Sequence, residues 1–165
     1  MTPGGAEMWT PPSTRERLTI LRSTRTVAIV GASTDPARAS NFVATYLLAE
    51  SDYEVWFVNP RVTEVLGRPV HASLADLPGP PDLVDVFRRP DELGLVADDA
   101  IAAGATTLWL QLGLSDPAVA ERASAAGLTV VMNRCLKIEH ARFRGGLHLA
   151  GFDTGILSSR RRRVL

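Results

Sequence analysis

The residues best equipped for chemistry stand in five short polar stretches, each following an apolar run: Gly31-Ala32-Ser33-Thr34-Asp35-Pro36-Ala37-Arg38, Asn59-Pro60-Arg61, Arg88-Arg89-Pro90, Gln111-Leu112-Gly113 and Asn133-Arg134-Cys135. Ser33 and Thr34 offer hydroxyls and backbone amides just ahead of an apolar-periodic segment. That suits an anion, because a helix N-terminus presents unpaired N–H groups and the positive end of its dipole. Pro36 stiffens the turn. Arg38, Arg61, Arg88 and Arg134 add guanidiniums, whose planar fork matches phosphate; the alternative for each is a solvated loop arginine. Cys135 has Arg134 beside it and Lys137 two residues on, and cations favour the reactive thiolate. It is read either as a thiol that exchanges with a ligand or accepts an acyl group, or as a small residue packed at a strand end. Asp85 lies inside an apolar run, where a structural hydrogen bond is its expected use. His71, His140 and His148 have no metal-ligand spacing, and one cysteine cannot form an intrachain disulfide, so no metal site is expected. Neither a Gly-x-Ser-x-Gly elbow nor a His-Glu-x-x-His helix is present.

Elements that could hold these stretches together follow from the periodicity. Thr26–Val30, Glu54–Val58, Leu83–Phe87, Thr107–Leu110 and Thr129–Met132 are short, branched and bounded by turn residues, which predicts five strands. Between them, Leu93, Val96, Ala97, Ala100 and Ile101 make one helical face, opened by Pro90 and closed by Gly104. Phe42, Val43, Tyr46 and Leu47 make another, Asp116-Pro117 caps a third helix, and Ser73 starts a single turn. Ser13-Thr14-Arg15-Glu16 is a capping box for a helix to about Arg22. Strands alternating with helices predict an α/β fold, a doubly wound, Rossmann-like, parallel five-stranded sheet with helices on both faces. In such folds ligands bind beyond the carboxyl ends of the strands, where the strand order reverses. All five polar stretches fall at that end.

The 165 residues are 45% apolar and 22% charged, as in one ordinary globular domain. The expected division is a flexible arm at 1–12, the binding domain at 13–141 and an extension at 142–165 that packs on the sheet or on a second copy in a homo-oligomer. Arg160–Arg163 hold four of the 18 basic residues, leaving 14 against 18 acidic ones in the rest. Four arginines without interleaved aromatics read as a solvated end, not a nucleic-acid tail. No apolar run reaches the roughly 18 residues of a membrane span, and no signal-peptide core occurs in the first 25 residues, so a cytoplasmic protein with no membrane partner is expected.

The choice of ligand turns on two positions. A nicotinamide dinucleotide fingerprint needs three glycines, of which only Gly31 is present, and an NAD site needs Asp or Glu after the second strand, where Arg61 stands instead. Arginine there suits an extra phosphate on the ribose, leaving NADP or coenzyme A. The stretches "VAIVGAS" with Pro36 and Arg38, then "VNPR", "VDVFRRP", "LWLQLG" and "VVMNRC", resemble in order and position the small CoA-binding family, similar to the CoA-binding domain that opens the succinyl-CoA synthetase alpha subunit. The resemblance runs from about Leu18 to His140 and departs at Asn133, where Asp is the commoner residue. It implies that Ser33 to Pro36, with Gly31 and Ala32, embrace a pyrophosphate, that Arg38 is a second phosphate partner, and that Asn59, Pro60 and Arg61 meet the phosphorylated ribose. Gln111, Leu112 and Gly113 would line the path of the pantetheine arm, with Arg88 nearby. A synthetase needs a second domain with a phosphohistidine and a nucleotide-binding partner, which this chain does not contain. The reading is therefore a non-catalytic CoA or acyl-CoA binding protein, with an NADP-dependent oxidoreductase and a thiol-exchange or acyl-transfer enzyme built on Cys135 as alternatives.

Overall fold

The computed structural model describes residues 8–144. In chain order the elements are α1 (Thr14–Ser23), β1 (Thr26–Val30), α2 (Ala39–Glu50), β2 (Glu54–Val58), β3 (Glu64–Val65), β4 (Arg68–His71), β5 (Leu83–Val86), α3 (Leu93–Ala102), β6 (Thr107–Leu110), α4 (Pro117–Ala125), β7 (Thr129–Val131) and α5 (Leu136–Arg144), with single 3₁₀ turns at Leu74–Asp76 and Pro90–Glu92. The sheet order is β3-β4-β2-β1-β5-β6-β7, and every pairing is parallel except β3 with β4. The fold is thus doubly wound and Rossmann-like, with seven strands where the sequence predicts five. The extra pair is a hairpin whose two loop residues, Leu66 and Gly67, both have positive φ (51° and 73°). A leucine in that position is no turn signal, and Pro69 inside β4 argues against a strand except near a sheet edge, where β4 lies.

Alternation along the strands feeds two apolar layers, as burial on both faces of a parallel sheet requires. Ala28, Val30, Val84, Val86, Leu108, Leu110 and Val130 pack with α3 and α4. Val27, Ile29, Leu83, Trp109 and Val131 pack with residues of α1, α2 and α5, such as Leu21, Val43, Leu47 and Leu136. The predicted face of α2 needs one correction: Val43 and Leu47 are buried, but Phe42 is 60% exposed, with the Lys137 ammonium 3.6 Å from its ring centre. Ser40 and Asn41 take the buried positions at the start of that helix. Both predicted caps form, Ser13 accepting from the Glu16 amide and Asp116 from that of Val119. Residues 1–7 and the extension from 145 on, with its four arginines, lie outside the described residues. Within 8–12, Trp9 donates its indole N–H to the Val130 carbonyl, and the Pro12 carbonyl accepts from Arg17.

Candidate functional site

From β1 the chain winds outward through β2 to β4 in one direction and from β5 to β7 in the other, so the order reverses between β1 and β5. A cleft of about 620 Å³ opens there, a size in the range of small-molecule sites. It is lined by Gly31, Ser33, Arg38, Ala39, Ser40, Asn59, Arg61, Phe87, Arg88, Arg89, Glu92, Gln111, Leu112 and Leu114. Gly31 makes the junction possible. Its φ is +90°, and a Cβ there would stand 2.1 Å from the Phe87 carbonyl oxygen and 3.2 Å from Cδ of Arg88. The glycine therefore serves the close approach of two strand ends to each other.

The loop after β1 is folded by its own side chains. Asp35 accepts from the Ala37 amide and Ser33 Oγ from the Asp35 amide, while the Gly31 and Ala32 amides are both taken by the Val58 carbonyl. Asn59 ties the two loops together: its Nδ2 donates to the Ala32 carbonyl at 2.8 Å and its Oδ1 accepts from the Arg61 amide at 2.9 Å. The first turn of α2 follows directly on this loop. Ala39 and Ser40 border the cleft, and a helix's first amides have no intrahelical acceptor. Arg38 opens that helix and makes no side-chain cap.

Four arginines and one glutamate give the cleft its charge. Arg38 stands loosely by Asp35 at 3.9 Å, Arg89 is 3.1 Å from Asp91, and Arg88 is clasped by Glu92 at 3.2 Å. Among the described residues Arg61 makes no ion pair, and it is exposed at the end of β2. At the other end the lining turns apolar, with Phe87, Leu112 and Leu114 around Gln111.

Of the residues singled out from the sequence, Gly31, Ser33, Arg38, Asn59, Arg61, Arg88, Gln111 and Leu112 meet in the cleft. Ala32 is buried in the apolar layer, Thr34, Asp35, Pro36 and Pro60 are exposed outside the lining, and Gly113 donates its amide to Asn133 Oδ1. Asn133 has φ +56° and needs only an acceptor oxygen, so Asn in place of Asp keeps that bond. Arg134 does not reach the cleft. It pairs with Glu139, a buried carboxylate also held by Arg17 at 3.0 Å and Arg142 at 3.4 Å. Cys135 is half-buried against the apolar layer and is not part of the lining. Sequence reasoning missed Ala39, Ser40, Phe87, Arg89, Glu92 and Leu114. Arg89 carried a signal, since it lies in the strand-end stretch after β5; Glu92 enters because the Pro90–Glu92 turn folds it back on Arg88.

Two further buried titratable groups among the described residues, besides the Arg17–Glu139 pair, lie outside the cleft lining. His140 is packed edge-on between Tyr46 and Tyr53, with Nδ1 2.9 Å from the Tyr46 hydroxyl. Burial, aided by the Arg144 charge, lowers its pKa to about 4, and burial raises both tyrosines. Asp85 is fully buried, and burial holds its carboxyl well above the usual range. Among the described residues neither of its oxygens has a recorded hydrogen-bond partner. No group of three His, Cys, Asp or Glu side chains among the described residues could hold a metal, and no described helix is long and apolar enough to cross a membrane.

A family model described as a CoA binding domain matches residues 25–141, the span that holds the whole cleft. The chain belongs to the CoA-binding domain family. Its resemblance to that family in the strand-end motifs is therefore real, and the family supports coenzyme A as the ligand. The chain is 36% identical over 130 residues to the uncharacterized protein YneT of Bacillus subtilis, covering 79% of this chain and 96% of that one. A solved structure of a hypothetical protein from Pyrococcus horikoshii is 36% identical with a TM-score of 0.76, over 82% of this chain and 97% of the other. A structure from Thermus thermophilus, cell-free ID.343, is 37% identical with a TM-score of 0.74, over 79% of this chain and 98% of that one.

Proposed function

We propose that the chain binds coenzyme A or an acyl-CoA in this cleft and acts as a carrier or sensor without catalysis of its own. The observation that carries the reading is Arg61. It is a guanidinium without an ion pair among the described residues, at the end of the strand where dinucleotide folds read the ribose, and it shares a cleft with the first turn of α2. The pyrophosphate would lie against Ser33, Arg38 and the Ala39 and Ser40 amides, and the phosphorylated ribose against Arg61. The pantetheine arm would run along Phe87, Gln111, Leu112 and Leu114, whose mixed apolar and amide surface suits it. Among the described residues the cleft's one carboxylate, Glu92, is engaged by Arg88, which supports binding over proton-transfer chemistry.

Calorimetric titration tests this directly. CoA should bind, NADH should not, and Arg61→Ala should weaken CoA by about 1.5–3 kcal/mol while leaving dephospho-CoA nearly unchanged. Equal affinity for NADPH and CoA would favour an oxidoreductase, and equal losses for CoA and dephospho-CoA would remove Arg61 from the phosphate.

A further inference from the structure

Among the described residues, three buried side-chain polar atoms lack any hydrogen-bond partner: both carboxyl oxygens of Asp85 and Oε1 of Gln111. Such atoms are rare, because an unpaired buried polar group forfeits the bond it made to water. Here they lie on neighbouring strands. Asp85 is level with Trp109 in the β5–β6 register. Gln111 is two residues further along that chain and continues the ladder, its amide donating to the Val86 carbonyl. Strand alternation puts Asp85, Trp109 and Gln111 on one face. With strands about 4.8 Å apart and a rise of about 3.3 Å per residue, such a diagonal pair spans roughly 8 Å between Cα atoms, within reach of a carboxyl and a glutamine reaching toward each other.

Chemistry decides what such a pair can do. Gln111 Oε1 is an acceptor and needs a donor, and a carboxyl supplies one only when protonated. The Trp109 indole N–H, on the strand position level with Asp85, is committed to the Arg134 carbonyl. Of the titratable groups on the helices of this face, Glu50 is paired with Arg144, Glu139 with Arg17 and His140 with Tyr46, while Lys137 lies over Phe42. Among the described residues no cation is bonded to Asp85 to hold it ionised, and burial favours its neutral form. The Gln111 side-chain nitrogen, Nε2, makes no hydrogen bond among the described residues and is not among the buried unpartnered atoms. It is the part of the amide that meets the cleft.

We propose that Asp85 is a positioning residue, a protonated carboxyl that donates to Gln111 Oε1 and so locks the amide with its NH2 turned into the cleft as a donor. The ligand group it selects is an uncharged acceptor, an amide or thioester carbonyl. This second half rests on the CoA reading; the Asp85–Gln111 bond does not. With the bond broken, the amide is free to flip and offer its oxygen, which would repel a carbonyl.

The test separates the two halves. In the ligand-free protein, the ¹³Cγ resonance of Asp85 should keep its protonated position through neutral pH. Asp85→Asn retains a donor of the same shape and should bind CoA within about twofold of wild type. Asp85→Leu should bind about 3- to 10-fold more weakly, the worth of one neutral hydrogen bond, and Gln111→Leu should lose as much. The double variant should lose no more than either alone. An Asp85 carbon that titrates near pH 4 like a free carboxylate overturns the proposal, as does an Asn variant as weak as the Leu variant, or a Leu variant as tight as wild type. If Asp85→Leu does not fold, wild type and Asp85→Asn carry the decision. If wild type ignores CoA, the binding reading fails, and the carbon resonance together with a Gln111 side-chain amide shift that changes in Asp85→Leu but not in Asp85→Asn still decides the bond.

Discussion

Replacing Gly31 with alanine probes the junction on which the cleft depends. The new methyl would sit 2.1 Å from the Phe87 carbonyl oxygen and 3.0 Å from its carbon, closer than real Cβ contacts come. The carbonyl has little freedom to retreat, since the Phe87 amide is bonded to the Val30 carbonyl at 2.8 Å and the two strands are paired up to that point. A φ of +90° costs a non-glycine residue about 1–2 kcal/mol, and overpacking a rigid site costs about 1–3 kcal/mol more. The expected loss is about 2–5 kcal/mol of a total near 5–15 kcal/mol. At about 3 °C per kcal/mol for a domain of this size, melting should fall by roughly 6–15 °C. Gly113 supplies the control, because its φ is +93° but no atom lies within 4 Å of its virtual Cβ. Gly113→Ala should carry the conformational cost alone, roughly 3–6 °C. Thermal melts followed by circular dichroism, with urea midpoints at 20 °C, compare the pair. The folded fraction of Gly31→Ala should also bind CoA more weakly, since the displaced carbonyl carries Phe87 and Arg88 with it. Equal losses at the two glycines, or a Gly31→Ala protein melting within about 2 °C of wild type, would refute the collision argument.

Two further outcomes follow from charges the fold has buried or paired. Glu92→Gln releases Arg88 and takes one negative charge out of the cleft. CoA should then bind about 2- to 5-fold tighter at low salt, and the gain should fade toward 1 M salt as screening shortens to about 3 Å; weaker binding would mean that Glu92 orients Arg88 for the ligand. His140 is neutral in the fold, with a pKa of about 4 against 6.5 for the unfolded chain. Between those values the unfolded chain binds more protons, so this group's contribution is intact above pH 6.5 and is lost as pH falls toward 4, up to about 3 kcal/mol. His140→Phe should flatten that part of the pH dependence of the urea midpoint, and a variant with the wild-type slope would place the effect elsewhere.

How far the sequence alone could go is clear from which residues it brought together. Branched runs of four or five residues, the Ser13 and Asp116 caps and the glycine at Gly104 are local signals, and they located five of the seven strands and most of the helices. The rule that ligands lie beyond strand ends then pointed to Gly31, Ser33, Arg38, Asn59, Arg61, Arg88, Gln111 and Leu112, which the cleft unites. Contacts across the chain decided the rest. Arg134 has the composition of a ligand residue, but Glu139 claims it, together with Arg17, a side chain 122 positions from that glutamate. Phe42 fits a helical apolar stripe, yet Ser40 and Asn41 take its buried place because the start of α2 borders a polar cleft. The β3–β4 hairpin escaped because β3 has only two residues, its turn places Leu66 beside Gly67 at positive φ, and β4 contains Pro69. Asp85 and Gln111 are separated by 26 positions and carry no common motif; only the register of β5 against β6 makes them neighbours. A side chain's type sets which partners it can accept, and the fold sets which of them comes within reach.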